Sequence, residues 1–414
     1  MKIYLVGGAV RDELLGLKPT DKDYVVVGST PEQMLSIGFT QVGNTFPVFL
    51  HPITKEAYAL ARTEKKNGVG YQGFDCYFGA EITLEEDLSR RDLTINAIAK
   101  DLETGEYVDP FGGIQDIKNK ILRATTEHFK DDPLRCLRLM RFRAKLGNAW
   151  KISSETQKYC DELYYKEELK YLNPERVWLE TSKALGTKTP SLYFSGLSSY
   201  DLFPEFNSCR TVEQPKEHHP EGNVFTHTNM VMDYAAQNNY SKYVIFSCFC
   251  HDMGKVVAYE KQGNLYGHED LGVVVVESLC SRFKIPNTYK ELALLVTQYH
   301  THCHKAFEMK PKTIMKLFDN TRAIKKPERF NQYLEACLSD VKGRGEPKCS
   351  GQYHQHIYLK ECLDAVLKVN TKEIANNLLT VGKTGIIIGE EIRISRINAI
   401  RGVKNKWKNY KSHS

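Results

Sequence analysis

The N-terminal part of the chain alternates short apolar runs with turns. One apolar run ends at Gly7-Gly8, and a helical pattern begins directly after this pair. A second apolar run begins at the segment Asp21-Lys22-Asp23. The predicted elements are strands at 3–6, 23–27, 41–50 and 56–62, a helix at 9–15 and a mobile, glycine-rich loop at 67–79. This order predicts a small mixed sheet in an α/β head.

The rest of the chain has the apolar spacing of helices. Leu84, Leu88, Ile95 and Ala99 follow one another at such spacings, which predicts a helix. Beyond Asp132 most segments keep this pattern. The predicted fold class is therefore α+β, with a mixed-sheet head followed by an all-α remainder.

Two segments rich in turn residues indicate domain joints. Residues 186–197 are rich in Gly, Ser and Pro, and residues 214–222 are polar with two prolines and two adjacent histidines. We therefore place joints near residues 141 and 212.

The composition is typical of a globular protein that does not cross a membrane. Among 414 residues, 41% are hydrophobic and 26% charged, and no apolar stretch approaches the roughly 20 residues that a membrane span requires. Eleven cysteines without a CxxC pair favour reduced thiols over a disulfide framework. We expect a cytoplasmic protein that does not bind a membrane.

The net charge of +6 permits a polyanionic partner without requiring one. Basic residues gather at 135–145 and again at 401–411, where Trp407 and Tyr410 are interleaved with lysines. The second cluster is consistent with nucleic-acid contact and equally with a solvated tail.

Asp21 and Asp23 lie at the start of a predicted strand. Side chains at i and i+2 of a strand share a face about 7 Å apart. Two such carboxylates can hold Mg²⁺ ions, which is the arrangement that phosphoryl transfer requires. By itself the DxD pattern is also typical of an Asp-rich turn.

A candidate phosphate site lies just upstream of these aspartates. Gly7-Gly8 follows a strand and precedes a helix, so backbone N–H groups there can approach a triphosphate closely, and Arg11 lies one helical turn further on. A lone Gly-Gly pair would be weak evidence. Together with Asp21 and Asp23, however, Gly8 and Arg11 predict a nucleotide-binding catalytic centre.

This combination resembles the bacterial-type (class II) tRNA nucleotidyltransferase and poly(A) polymerase superfamily, whose signature is LVGGAVRD followed by DxD. Arg90-Arg91-Asp92 with Asn96 resembles the RRDxxxNA motif, which implies that Arg91 binds the nucleotide at its ribose. Asp109 to Gly113 resembles the DPFGG segment, which implies a hinge. Without the family, the first motif could equally be surface charge pairs on a helix and the second a Pro-Gly turn.

A helix that begins near Asp132 could select the base. Asp132 is placed as its N-cap, Pro133 as its first residue, and Arg135 and Arg138 share a face. Cytosine and adenine both present an exocyclic amine donor beside a ring-nitrogen acceptor, so one carboxylate and one guanidinium can satisfy either base. Uracil and guanine present the reverse pattern.

The segment 131–135 resembles the EDxxR element of the family, with Asp131 in place of Glu. The resemblance implies that Asp132 and Arg135 recognise the base and that Arg138 contacts the nucleotide. Glu175-Arg176 with Glu180 resembles the ERxxxE element, which we expect to support this helix. A capped basic helix alone is more typical of a structural element.

Eight of the thirteen histidines lie between His218 and His304. His227, His251-Asp252 and Asp340 have the order H…HD…D, and residues 250–255 resemble the core of the HD phosphohydrolase superfamily. Imidazole with carboxylate suits Mg, Mn, Ni or Fe, and such a metal can activate water against a phosphate ester. A structural histidine is the alternative for each residue taken alone. The downstream histidines that could complete the site or bind phosphate are His268, His300 and His304.

The resemblance implies an enzyme that adds and repairs the 3′ CCA of tRNA from CTP and ATP, with Mg²⁺ in the head. It also implies phosphatase, 2′-nucleotidase and 2′,3′-cyclic phosphodiesterase activity, with Ni²⁺ or another divalent metal in the HD domain. The implied domains are the nucleotidyltransferase head (1–140), a helical RNA-binding neck (141–211), an HD-like domain (212–345) and a basic helical tail (346–414). Thr301 departs from the family's Asp after the downstream histidine, which weakens the expectation of hydrolysis.

Three alternatives stay open from the sequence. They are a poly(A) polymerase on the same head, a phosphohydrolase whose head only binds nucleotide, and a non-catalytic RNA-binding module. The expected state is a monomer or homodimer that does not bind DNA.

Overall fold

The fold, seen in a computed structural model, is described for residues 1–19, 21–42, 48–66 and 74–411. The strands are β1 (Lys2–Val6), β2 (Asp23–Val27), β3 (Thr40–Val42), β4 (Val48–Leu50), β5 (Ala57–Leu60), β6 (Arg62–Lys66), β7 (Phe74–Phe78), β8 (Ala99–Asp101), β9 (Tyr107–Val108), β10 (Ile121–Leu122) and β11 (Lys151–Ile152). The α-helices are α1 (Gly8–Leu14), α2 (Pro31–Ser36), α3 (Leu84–Ser89), α4 (Gly113–Asn119), α5 (Leu134–Leu146), α6 (Ser154–Tyr165), α7 (Pro174–Ala184), α8 (Ser191–Leu197), α9 (Pro204–Asn207), α10 (Val224–Gln237), α11 (Lys242–Cys250), α12 (Gly254–Gln262), α13 (His268–Arg282), α14 (Asn287–His304), α15 (Pro311–Asn320), α16 (Pro327–Lys342), α17 (Gln355–Leu367), α18 (Thr371–Thr380) and α19 (Ile386–Lys411). A mixed-sheet head followed by helices confirms the predicted α+β class.

The head is built on a mixed sheet whose strand order is β3-β4-β5-β2-β1-β8-β9. Strand β1 is antiparallel to β2 and β8, whereas β2 is parallel to β5. The β1–β2 register pairs Val6 with Asp23. Asp23 therefore lies beside the residue that precedes the glycine turn, so the strand pairing itself brings the DxD segment to the start of α1.

Three sequence predictions in the head are wrong. The predicted strand at 41–50 is two strands, β3 and β4, which pair antiparallel with Thr40 opposite Leu50; residues 43–47 lie outside the described ranges. Residues 74–78 of the predicted loop form β7, because β7 pairs antiparallel with β6 and this ladder satisfies its backbone groups; residues 67–73 lie outside the described ranges. Ala99 was predicted on a helix but lies in β8 opposite Val6. The helical spacing fails there because α3 ends at Ser89 and only a short 3-10 turn, Thr94–Asn96, follows.

The chain divides into two compact units. The first comprises Met1–Thr181 with Leu192–Leu202, and the second comprises Ser182–Ser191 with Phe203–Ser414. No described helix is long and apolar enough to cross a membrane. All eleven cysteines lie within the described ranges, and each is a free thiol.

Candidate functional site

The glycine turn of the head requires glycine for a steric reason. Gly7 has a φ of +69°, and a Cβ atom built on it would lie 3.0 Å from Nη1 of Arg91. Arg91 therefore approaches the backbone directly before α1, where the first helical N–H groups are free of helical partners. Its Nη2 donates to Oδ2 of Asp87 at 3.1 Å. Gly8 and Arg91, two predicted nucleotide-binding residues, thus lie close together.

Asp21 and Asp23 are exposed at the start of β2, a central strand of the sheet, beside this turn. In the described part of the chain, neither carboxylate is engaged by an ion pair or a hydrogen bond. Asp23 begins β2, and Asp21 precedes that strand by two residues. Carboxylate oxygens are the ligands that Mg²⁺ prefers, and a free pair so close together suits such an ion. The residues therefore fit a divalent cation.

Arg11 is buried rather than presented to solvent. Its guanidinium donates to Oδ1 of Asn96 at 2.5 Å and to Oδ1 of Asp12 at 2.7 Å. It also lies 5.0 Å from the ring centre of Phe142. Arg11 therefore braces α1 against its surroundings, and its contact with a triphosphate stays a prediction.

Asp92 is the centre of a buried network behind the turn. Its Oδ1 accepts hydrogen bonds from Asn96 Nδ2 and from the Leu93 backbone N–H, both at 2.9 Å, and its Oδ2 accepts one from Arg138 Nε at 2.8 Å. Burial alone would raise the pKa of Asp92, but Arg138 and Asn96 outweigh it and hold that pKa well below its usual range. The network links Arg11 on α1 to Arg138 on α5.

Helix α5 differs slightly from its prediction. It begins at Leu134 and ends at Leu146, with Pro133 rather than Asp132 at the N-cap position. Asp132 still caps the helix, because its Oδ1 accepts from the Leu134 N–H at 3.1 Å. Its Oδ2 accepts from Arg176 Nη2 at 2.8 Å, so α7 holds this carboxylate in place.

The two arginines predicted on one face of α5 converge on the Arg90–Asp92 segment. Arg135 donates to the backbone oxygen of Arg90 at 2.6 Å and to that of His128 at 2.7 Å. Arg138 binds Asp92. A second α7 residue, Glu180, pairs with Arg141. Helix α7 therefore supports α5 at two positions, as expected for the ERxxxE element.

In the second unit, the four predicted HD residues come together in a buried cluster. Nε2 of His227 lies 3.1 Å from Oδ1 of Asp340 and 3.8 Å from Oδ2 of Asp252. Nε2 of His251 lies 3.2 Å from the same Asp252 oxygen and 4.0 Å from Oδ1 of Asp340. All four residues are at most 4% exposed. Helices α10, α11 and α16 thus bring together residues that are far apart in the chain.

The histidine rings are oriented by bonds on their outer nitrogens. Nδ1 of His251 lies 2.7 Å from the backbone oxygen of Cys248, and Nδ1 of His268 lies 2.8 Å from that of Leu265. Because a carbonyl only accepts, each Nδ1 carries the proton and each Nε2 presents a lone pair to the cluster. This is the tautomer that a metal-binding histidine requires.

The cluster fits a transition metal. His251 Nε2 and Asp252 Oδ1 are among the buried atoms of the described residues that have no hydrogen-bond partner. Mixed imidazole and carboxylate donors are typical ligands of Mn, Fe, Ni and Zn. Burial disfavours a charged His251, but the adjacent Asp252 outweighs burial and raises the pKa of His251. A bound cation would replace the proton that a charged His251 carries on Nε2.

Several residues that support the cluster were not predicted. Glu221 accepts from Nδ1 of His227 at 2.7 Å and from Nδ1 of His219 at 2.9 Å. Lys255 donates to Oδ2 of Asp252 at 2.7 Å. Glu221 precedes α10 in a polar segment without periodicity, so only the adjacent histidines hinted at it. Thr301, which departs from the family pattern, donates to Glu269 at 2.8 Å.

The head matches a known class of proteins. Residues 3–123 match the family model described as the Poly A polymerase head domain. Over 100% of its length, the chain also resembles the crystal structure of the Bacillus stearothermophilus CCA-adding enzyme in complex with CTP, with a TM-score of 0.63, 22% identity and 95% coverage of that chain. The fold and the site define a nucleotidyltransferase, a class that depends on divalent metal ions.

Curated relatives extend the match over nearly the whole chain. The multifunctional CCA protein of Haemophilus influenzae is 44% identical over 98% of this chain and 99% of its own length. That of Actinobacillus pleuropneumoniae is 45% identical over 98% and 99%, respectively. The chain therefore belongs to the multifunctional CCA protein family, and it is a CCA-adding nucleotidyltransferase. This confirms the resemblance found in the sequence.

The carboxylate of Glu221 should tune metal affinity through His227. The charge of Glu221 orients the His227 ring and maintains the basicity of its Nε2, and Glu221→Gln removes that charge. Loss of such a partner of a metal-binding histidine typically weakens metal binding about 10- to 100-fold. We expect a loss of this size in a titration of the metal-free protein with Mn²⁺. Glu217→Gln, an exposed residue of the same segment, is the matched control. Equal affinity in both variants would contradict the role of Glu221.

Proposed function

We propose that the head adds the 3′-terminal CCA to tRNA from CTP and ATP without a nucleic-acid template. The observation that carries this proposal is the unpartnered pair Asp21 and Asp23 beside the glycine turn. In the reaction, the RNA 3′-hydroxyl attacks the α-phosphate and pyrophosphate leaves. Mg²⁺ held by these aspartates would activate the hydroxyl and neutralise charge on the pyrophosphate.

The residues around the turn bind the nucleotide in this proposal. Gly8 offers its backbone N–H to the triphosphate, since the N-terminus of a helix favours anions. Arg91, whose guanidinium lies close to the Gly7 backbone, binds phosphate and ribose. Arg11 supports the same site through its hydrogen bond to Asn96. Its second proposed role is to contact the triphosphate when the nucleotide binds.

Base selection is assigned to Asp132, Arg135 and Arg138. The carboxylate accepts from the exocyclic amine of cytosine or adenine, and a guanidinium donates to the neighbouring ring nitrogen. The ion pair between Asp132 and Arg176 and the contact of Arg135 with Arg90 hold these groups in a fixed arrangement. Uracil and guanine would leave buried polar groups unpaired, which costs about 1–3 kcal/mol for each group.

The second unit is proposed as a metal-dependent phosphohydrolase. His227, His251, Asp252 and Asp340 would hold the cation, with Ni²⁺ as a candidate that matches the donor set. The expected substrates are phosphomonoesters, 2′-nucleotides and 2′,3′-cyclic phosphates. Two buried atoms that could ligate a metal, His251 Nε2 and Asp252 Oδ1, have no hydrogen-bond partner among the described residues. This observation favours the second activity.

The remaining assignments follow from these activities. We propose a cytoplasmic enzyme that acts as a monomer or homodimer on tRNA, not DNA, with domains at 1–140, 141–211, 212–345 and 346–414.

The decisive assay supplies the protein with a tRNA that lacks its CCA end, CTP, ATP and Mg²⁺. We expect the additions C, C and A in that order. Asp21→Ala and Asp23→Ala should each abolish extension, since one carboxylate cannot hold both ions, while hydrolysis of a model phosphomonoester persists. A long A tail would instead identify a poly(A) polymerase. Loss of both activities in a folded Asp21 variant would contradict separate sites.

The assignment of base selection to Asp132 predicts a change in nucleotide preference. Asp132→Ala should lower the kcat/KM ratio of CTP over UTP about 10-fold or more, because each 1.4 kcal/mol of lost discrimination is about a factor of ten. Asp131→Ala changes the neighbouring carboxylate, which bonds His128 instead, and serves as the control. An unchanged CTP/UTP ratio in Asp132→Ala would refute the assignment.

A further inference from the structure

A cavity of about 530 Å³ lies in the second unit, between the turn that follows α15 and helix α19. Cavities of roughly 300 to 1,000 Å³ are the size that small ligands typically occupy. The cavity is lined by three cations, one carboxylate and two apolar side chains, which are Arg322, Lys325, Arg396, Asp319, Phe318 and Ile324. None of these residues belongs to the head or to the H…HD…D set. The cavity is therefore a candidate ligand site that neither proposed activity uses.

The cations of this cavity are not neutralised by the protein. In the described part of the chain, no hydrogen bond or ion pair engages the side chain of Arg322, Lys325 or Arg396. The carboxylate in the lining, Asp319, already pairs with Arg393. Like charges gathered in one cavity repel one another, and an anion bound among them relieves that repulsion. The cavity therefore has the charge of an anion site.

Arg396 adds a buried donor without an acceptor. The residue is half-buried on α19, and its Nε atom has no hydrogen-bond partner among the described residues. A buried N–H group without an acceptor costs stability and calls for an explanation. Guanidinium groups bind phosphate oxygens through paired N–H···O bonds. A phosphate in the cavity would therefore supply the acceptor.

Arg322 occupies a backbone position that favours glycine. Helix α15 ends in a Schellman motif, in which the Ala323 N–H donates to the Phe318 backbone oxygen at 2.8 Å and the Arg322 N–H to that of Asp319 at 3.1 Å. This motif requires the left-handed conformation at Arg322, whose φ is +53°. The chain thus keeps a guanidinium in the cavity wall at a cost in backbone strain, as is common at ligand sites.

We propose that this cavity binds the phosphate chain of a free nucleotide, with Arg322, Lys325 and Arg396 as the groups that contact it. Three cations match the charge of a di- or triphosphate, and Phe318 and Ile324 provide an apolar wall for the sugar and base. The backbone of RNA is typically bound along an extended basic groove instead. A bounded cavity therefore favours the free nucleotide, at a site separate from the nucleotide site of the head.

Equilibrium binding of ATP to the full chain tests the proposal. The starting variant carries Asp21→Ala, Asp23→Ala and Arg91→Ala, which remove contacts proposed for the head, and EDTA removes divalent metal. Isothermal titration calorimetry should then show one ATP bound per chain. Adding Arg396→Ala should weaken this binding about 10-fold or more, as loss of a hydrogen bond between charged groups typically does.

Neighbouring cations provide matched controls. Lys325→Ala should weaken ATP binding, whereas Lys326→Ala should not, because Lys326 pairs with Glu291. Arg401→Ala is the control for Arg396→Ala, since Arg401 is an exposed arginine of the same helix. Neither control should change the affinity.

Arg322→Gly separates binding from folding. Glycine fits the left-handed conformation, so this variant should keep or raise the melting temperature measured by circular dichroism. Its ATP affinity should nevertheless fall about 10-fold or more, because the guanidinium is lost. Unchanged affinity in Arg322→Gly would contradict the role of this arginine.

Two further outcomes would overturn the inference. If the starting variant binds no ATP, or if Arg322→Gly and Arg396→Ala both leave the binding unchanged, the second unit has no nucleotide site in this cavity. Titration with a single-stranded RNA separates the two sources of phosphate. Binding of the RNA that these substitutions weaken, without binding of ATP, would make the cavity an RNA contact and contradict a site for free nucleotide.

Discussion

A carboxylate buried away from water must be compensated by nearby donors or cations, and this constraint organises both units of the protein. In the head, Asp92 is 6% exposed and gathers Asn96 and Arg138 around it. In the second unit, Asp252 is 1% exposed and gathers histidines and Lys255. Each of these aspartates thereby draws together chain segments that are distant in sequence.

The two buried aspartates differ in how completely they are satisfied. Both oxygens of Asp92 accept hydrogen bonds within the head, so this residue is structural and fixes the turn against α5. Asp252 keeps one oxygen without a hydrogen-bond partner among the described residues. Asp21 and Asp23 show the opposite arrangement, because they are exposed and remain available at the start of β2. The head thus separates the carboxylates that hold the fold from those proposed to hold the metal.

Local spacing was sufficient to predict the parts of the site that are close in sequence. The glycine turn, β2 with its aspartates and the His251-Asp252 pair each have a signature within a few residues, and β2 was predicted with its observed bounds. Long-range contacts left no such signal. The spacing of Arg176 and Asp132 does not indicate their ion pair, because that pair depends on how α7 packs beside α5. The spacing of Glu221 and His227 does not indicate theirs either, because it depends on how the segment before α10 folds back on the helix.

Strand pairing produced the same difficulty in the head. The glycines before β7 favour a loop, yet the ladder with β6 makes it a strand. Ala99 continues a helical spacing in the sequence, yet it pairs with Val6 in the sheet. In both cases tertiary pairing overrides the local preference, as is common for strands.

One chain is proposed to carry two separate metal centres, one that extends RNA and one that removes phosphate. A single experiment tests both centres: a CCA-less tRNA whose 3′ end is blocked by a 2′,3′-cyclic phosphate is incubated with CTP, ATP and two variants. One variant carries Asp21→Ala and Asp23→Ala, and the other carries His251→Ala. We expect neither variant alone to extend the blocked tRNA and their mixture to add CCA, because one frees the hydroxyl that the other extends. Extension by the His251 variant alone, or failure of the mixture while each variant retains its remaining activity, would contradict two separate centres that act in sequence.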